Sequence, residues 1–326
     1  MHRLSPIFII SLPRSGSTLL QRVLTTNSDI HSVSETWLLF PFAFMFRKKG
    51  INSIYDHQTA LHAWNDFIKK LPMGMEDFYA SVRDFSIGLY SKTFSKGSIR
   101  YFIDKTPRYY LITSFLSEVF PNAKFIFLFR HPLQVLASIL NSWMQNRFLI
   151  YRHYIDIYKG PKSLVAGSIL LQNNSISVQY NDLVTNPESV TKKICEYLQI
   201  DFHSCMTDKF TSIKFNGIMG DQIGTQEFDK ISDTPIKKWK NILNTRYRIK
   251  FSRDYIHFLG DEVLKSFDTS IKETCKEIDS IDAKWEGTFT DIFFHLMSNT
   301  KRWTNWVYFK DQFKCIFRHD HFFPYM

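Results

Sequence analysis

Close to its start the chain runs Ile7-Phe8-Ile9-Ile10 without a polar break. A strand with one wet face alternates apolar and polar residues. An unbroken apolar strand is buried on both faces, as in a parallel sheet covered by helices. The short segment Pro13–Thr18 separates this run from Leu19-Leu20-Gln21-Arg22-Val23-Leu24, which reads as a helix. Strand, tight loop and helix in that order make the front half of a phosphate-binding βαβ unit.

The rest of the chain repeats the alternation. Strands are expected at Val33 ending near Glu35, at Arg100–Ile103, at Lys124–Phe129 and at Ser177–Tyr180. Helices are expected within the aromatic stretch 36–70, at Tyr110–Phe120, at Leu133–Trp143, around Val190–Leu198, and up to about Asp282. The fold class that follows is α/β, a P-loop-like parallel β-sheet flanked by helices. One domain covers residues 1–285, and residues 286–326 form an aromatic, basic C-terminal extension. The turn-rich stretch from Asn216 to Trp239 is the kind of long irregular segment that is usually functional or disordered.

Laid on the pattern G-x-x-x-x-G-K-[ST], residues Ser11–Thr18 keep the second glycine as Gly16 and the hydroxyl as Thr18. Ser11 stands for the first glycine and Ser17 for the lysine. Backbone amides around Gly16 and the helix start can still hold a phosphate. A nucleoside triphosphatase needs the lysine on its terminal phosphates, and here Arg14 supplies a cation from within the loop instead. An Arg-Ser-Gly turn joining two core elements is the competing reading. A second cluster favours the functional one. Arg130 ends the strongest strand and Ser138 follows within the next helix, so the two can hold a separate phosphate.

A formal charge of +10 also suits an anionic partner, but nucleic acid, anionic lipid, acidic glycan and a phosphorylated cofactor satisfy it equally. No RNA or DNA recognition motif accompanies it, so no nucleic-acid partner is expected. Cys195, Cys205, Cys275 and Cys315 form no C-x-x-C pair, which argues against a disulfide framework and for a reducing compartment. The run at Ile7–Leu12 has no cleavage site after it and is not read as a secretory signal, and no apolar stretch is long enough to span a bilayer. A cytoplasmic protein is the expectation.

In these motifs the chain resembles the sulfotransferase superfamily. Leu12-Pro13-Arg14-Ser15-Gly16-Ser17-Thr18-Leu19-Leu20 looks like the family's 5′-phosphosulfate loop. Arg130 with Ser138, in Phe127-Leu128-Phe129-Arg130-His131-Pro132, resembles its 3′-phosphate site. Tyr180-Asn181-Asp182-Leu183 is similar to a Tyr-Glu-Asp-Leu segment whose tyrosine faces adenine. Pro235-Ile236-Lys237-Lys238-Trp239 looks like a late Lys-Trp motif, where the resemblance puts Lys238 on a cofactor phosphate. An Arg rather than a Lys in the first loop leans toward the tyrosylprotein and carbohydrate branches and the bacterial members related to them. Those carry a catalytic glutamate 21 residues after the arginine, where this chain has Glu35 in Ser34-Glu35-Thr36-Trp37. Asp104-Lys105-Thr106-Pro107 resembles a segment whose lysine steadies transferring charge. Two positions depart from the pattern. His131 replaces an Asp after the 3′-phosphate arginine, and Asn181 replaces a Glu.

The resemblance implies 3′-phosphoadenosine 5′-phosphosulfate (PAPS) as donor and a hydroxyl-bearing acceptor, a saccharide or glycoconjugate favoured. Glu35 would be the general base, with Arg14 and Lys105 beside it as catalytic cations and no metal required. Residues 13–18, Arg130, Ser138, Tyr180 and Lys238 would hold the donor. Surface roles for Glu35 and Lys105 remain the alternatives, as does His31 as base. A P-loop-like kinase acting on a small molecule is the rival function. Residues 36–100 and 143–170 are expected to shape the acceptor pocket. Residues 289–326 hold 12 aromatics, with Lys301, Arg302, Lys310, Lys314 and Arg318 among them. That stretch can pack on the catalytic domain or a second copy, or touch a membrane surface. His319-Asp320-His321 is too small a set to argue for a metal.

Overall fold

The structure, a computed structural model, describes residues 4–304 except 49, 52, 54, 95–98 and 216–233. Five strands, β1 (Ser5–Ser11), β2 (Ile30–Ser32), β3 (Tyr101–Asp104), β4 (Lys124–Phe129) and β5 (Ser175–Gln179), form one parallel sheet in the order β2-β3-β1-β4-β5. The helices that matter for the site are α1 (Ser17–Thr25), α2 (Met75–Ser91), α3 (Pro132–Ser142), α4 (Pro187–Leu198), α5 (Thr234–Ile242), α6 (Arg246–Leu259) and α7 (Thr288–Thr304).

The unbroken apolar runs do what their pattern dictates. In β1, Phe8 and Ile10 join one core with Phe125, Phe127 and Phe129 of β4, and Leu133 and Leu136 of α3 pack there. Ile7 and Ile9 join the other with Ile126, Leu128 and Val178, covered by Leu20, Val23 and Leu24 of α1 and Ile194 of α4. The register sets Phe8 beside Phe125 and Ile9 beside Ile126, so bulky aromatics share one face and branched aliphatics the other. Full burial of each such side chain contributes about 1.5–3 kcal/mol.

Strand order fixes where a ligand can sit. After β1 the chain passes through α1 to β2 on one side. After β4 it passes through α3 to β5 on the other. Neighbouring strands whose connections diverge leave a crevice at their carboxyl ends, and here that crevice lies between β1 and β4.

Three expected elements are shifted. The second strand is Ile30–Ser32, not Val33 to Glu35, because Gln21 Nε2 bonds Ser32 Oγ at 2.7 Å and the Val33 carbonyl at 2.8 Å, taking that carbonyl off the sheet. Glu35 therefore lies in the loop beyond the strand. The helix expected over Tyr110–Phe120 breaks at Ile112 (φ −129°) into a 3₁₀ turn, Tyr109–Leu111, and a helix, Thr113–Val119. Tyr180 begins a helical segment, Tyr180–Thr185, rather than ending β5.

Candidate active site

The loop after β1 bends through two left-handed residues, Arg14 (φ 63°) and Gly16 (φ 89°). Glycine is required at 16 on two counts. The dihedral disfavours a side chain, and a Cβ there would stand 2.5 Å from Cδ2 and Cε2 of Tyr180. As N-cap of α1, Gly16 offers no side-chain acceptor to the first-turn amides, which suits them to an anion. Ser15 Oγ is buried and has no hydrogen-bond partner among the described residues. Such an orphan hydroxyl costs about 1–3 kcal/mol unless something polar reaches it.

The loop after β4 closes on this one. Arg130 Nη1 donates to the Arg14 carbonyl at 2.8 Å, and its guanidinium lies 4.1 Å from the Tyr180 ring centroid. Arg130 Nε donates to Gln134 Oε1 (3.2 Å), and Gln134 Nε2 donates to Asn181 Oδ1 (3.4 Å). Arg14 Nε donates to Ser138 Oγ at 3.3 Å across 124 residues of sequence. The two clusters are thus one unit at the crevice between β1 and β4.

His131 completes that loop. Its Nδ1 accepts the Leu133 amide hydrogen at 3.2 Å, the N-cap bond that an Asp would make for α3. Nε2 meets Thr274 Oγ1 at 3.3 Å, and the ring stacks on Trp239. Burial lowers its pKa from 6.5 to about 4, so the ring is neutral and Nε2 carries the hydrogen.

Further along the same sheet edge, Glu35 and Lys105 form an ion pair of 2.9 Å, with side chains only 9% and 3% exposed. The other carboxylate oxygen, Oε2, accepts Trp37 Nε1 at 3.2 Å. Beneath them Asp104, fully buried at the end of β3, organises both partners' neighbours. Oδ2 accepts from Thr36 (2.9 Å), Tyr90 (2.7 Å) and Tyr109 (3.0 Å), and Oδ1 accepts from Thr106 (3.0 Å). Burial raises the Asp104 pKa, and these hydroxyl donors work against the rise.

A cavity of about 560 Å³ adjoins Arg130, lined also by Gln134, Asn181, Lys237, Trp239 and Lys240, within the usual size of a small-molecule site. Lys238 is exposed on α5 and does not line it. Among the described residues no group of three or more His, Cys, Asp or Glu could hold a metal, and His319-Asp320-His321 lies outside them.

The model of the family described as the sulfotransferase family matches residues 6–204, from β1 through α4. The chain belongs to the sulfotransferase family. The nodulation protein NoeE of Sinorhizobium fredii (strain NBRC 101917 / NGR234) is 31% identical over 137 residues, 42% of this chain and 31% of that protein. The protein-tyrosine sulfotransferase of Drosophila melanogaster is 23% identical over 210 residues, 61% of this chain and 39% of that one. The chain thus spans only about a third of the length of these curated relatives. The sulfotransferase domain from the curacin biosynthetic pathway superposes with a TM-score of 0.51 at 25% identity, covering 74% of this chain and 92% of that domain.

Placed on this fold, the expected site residues of the family fall into two groups and a remainder. Arg14, Ser15, Gly16, Arg130, Ser138 and Tyr180 meet around the β1–β4 crevice. Pro13 is buried in the same loop, and Ser17 and Thr18 stand in the first turn of α1, Ser17 buried and Thr18 half-buried. Glu35 and Lys105 meet each other after β2 and β3. Lys238 is exposed and forms no hydrogen bond or ion pair with either group among the described residues, and the turn-rich stretch before it, 216–233, lies outside them. Sequence reasoning missed Gln134, Trp37 and Asp104. Gln134 stands four residues after Arg130, a spacing that could have nominated it where the strand end runs into α3, whereas Trp37, two residues after Glu35, carries no such signal.

Proposed function

We propose that the chain transfers a sulfuryl group from PAPS to an acceptor hydroxyl, with a saccharide or glycoconjugate as the favoured acceptor class. The observation that carries this is the joining of two cation-bearing phosphate cradles, Arg14 to Ser138 and Arg130 to the Arg14 carbonyl, at one crevice. A donor with phosphates at both ends of its ribose needs two such cradles, whereas ATP needs one cradle and a loop lysine. The buried hydroxyl of Ser15 and the uncapped amides of α1 fit an anion in the first cradle. Arg130 and Ser138 fit one in the second.

The donor brings a sulfuryl group already bonded to a phosphate leaving group. What remains is positioning and charge, since such transfers pass through a loose in-line transition state. Arg14 holds the loop-side phosphate and sulfuryl oxygens, and Tyr180 faces the adenine. Lys238 adds a cation from α5. Glu35 takes the acceptor proton. Both its oxygens already accept a hydrogen bond, and each keeps a second lone pair for the incoming hydroxyl. Lys105 steadies the charge that develops beside it. Side-chain cations do the work a metal does in kinases, so chelation should leave turnover unchanged.

The test is transfer of labelled sulfate from PAPS into an extract of the producing cells. The labelled product identifies the acceptor. Glu35→Gln should lower turnover at least about a hundredfold with donor affinity nearly unchanged. Absence of any labelled product would refute the function, and near-normal turnover in the variant would refute the base.

A further inference from the structure

The turn that follows Lys105 carries a second buried ion pair. Arg108 stands in the left-handed region (φ 70°), which a long side chain occupies only where its surroundings hold it there. Its guanidinium grips Asp156 at both oxygens, Nε to Oδ1 at 2.9 Å and Nη2 to Oδ2 at 2.8 Å, and Tyr110 donates to Oδ1 at 2.7 Å. Asp156 is fully buried on a π-helical turn, Ile155–Lys159, a form common at functional sites. Just after that turn, Gly160 presses on the start of the phosphate loop. A Cβ there would stand 2.6 Å from Leu12 Cδ2 and 3.3 Å from Tyr110 Cζ.

A pair of rings stands beside the ion pair. His153 Nδ1 lies 3.8 Å from Asp156 Oδ2, and the imidazole packs on Trp143 with centroids 5.1 Å apart. Trp143 is the C-cap of α3, five residues after Ser138, the partner of Arg14. Arg108 thus belongs to the loop of Lys105 and Trp143 to the helix of Ser138, and Asp156 with His153 joins them. Both remain open to solvent, Trp143 at 43% and the Arg108 side chain at 33%. Among the described residues, Arg108 Nη1 has no hydrogen-bond partner.

The chemistry of this surface says what fits it. Asp156 neutralises the guanidinium, so Arg108 offers a hydrogen-bond donor rather than an unpaired charge, which suits a hydroxyl better than a carboxylate. A pyranose ring has an apolar face of C–H groups and a rim of hydroxyls. The face suits the exposed indole, and the rim suits the donor. A phenolic acceptor would stack as well, but its single hydroxyl is taken up at Glu35 and leaves Arg108 without a role. We propose that Trp143 and Arg108 form the acceptor subsite, the indole stacking under a sugar ring and Arg108 Nη1 donating to a hydroxyl other than the one that receives the sulfuryl group. This deepens the sulfuryl-transfer reading and rests on it.

The probe is an extract of the producing cells, supplied to the full chain in a dilution series with labelled PAPS. Removing Arg108 would strand the buried Asp156, so the exposed Trp143 carries the test. Trp143→Ala should raise the half-saturating extract concentration at least about tenfold, a larger change than in the limiting rate. Trp143→Phe keeps a flat ring and should recover most of that loss. Adenosine 3′,5′-bisphosphate should bind the parent and both variants alike, and the label should stay in carbohydrate after exhaustive proteolysis. Overlapping saturation curves for the parent and Trp143→Ala would overturn the subsite and leave the transfer reading standing. So would equal losses in the two variants, weakened bisphosphate binding, or label recovered as tyrosine sulfate. No labelled product from the parent would refute the transfer itself, and the subsite with it.

Discussion

At the scale of single residues, the site is built from side chains that satisfy the fold and face the crevice at once. Gly16 is glycine because of its φ and because Tyr180 occupies the space a Cβ would take. His131 shows how a departure from the family pattern is absorbed, since the imidazole caps α3 where an aspartate would. That exchange has a pH signature. The unfolded chain binds a proton at this histidine near pH 6.5, and the folded chain not until about pH 4. Stability is therefore full above about pH 6.5, declines as pH falls toward about 4, and levels off below. The residue as a whole is only partly buried, which trims the effect to about 2 kcal/mol at most. His131→Asn keeps a capping oxygen without the titration. Urea midpoints measured from pH 7 to pH 4 should fall less steeply for the variant than for the parent. Parallel pH profiles would show that His131 does not set this slope.

At the scale of elements, the parallel sheet was legible because its strands are buried on both faces and their residues say so. The run Lys124–Phe129 is β4 to the residue. Glu35 was nominated by the family resemblance, 21 residues after Arg14, while the strand before it was misplaced, because the Gln21 side chain that takes the Val33 carbonyl is a tertiary contact. Asp104 was quoted only as part of a motif. Its four hydroxyl partners come from positions 36, 90, 106 and 109, which only the folded sheet brings together. The attachment of α7 was equally hidden. Arg248 of α6, 6% exposed, donates to Asp291 through Nε (2.9 Å) and Nη2 (2.7 Å) and also holds Asn146 Oδ1 at 2.7 Å. Removing one member of a buried pair strands the other. Asp291→Ala should cost about 3–5 kcal/mol in urea denaturation, and adding Arg248→Met should recover part of it. A loss below about 1 kcal/mol would mean that α7 is held by its other contacts, apolar ones and the Tyr151–Ser298 hydrogen bond among them, rather than by this pair.

At the scale of the whole molecule, the sheet order puts the functional loops at one carboxyl edge, and the divergence of β1 and β4 opens the crevice between the two cradles. The sequence named residues for both cradles, but not that Arg14 and Ser138 touch, nor that Arg130 reads the backbone of the first loop. Those contacts make the central claim specific. On the proposed reading the site holds an adenosine nucleotide with phosphates on both its 3′ and 5′ positions. Calorimetric titration with adenosine 3′,5′-bisphosphate and with adenosine 5′-monophosphate tests this without knowledge of the acceptor. The bisphosphate should bind at least about tenfold more tightly, and Arg130→Ala should erase most of that preference while the protein stays folded. Equal affinity for the two nucleotides, or a preference that survives Arg130→Ala, would contradict the account.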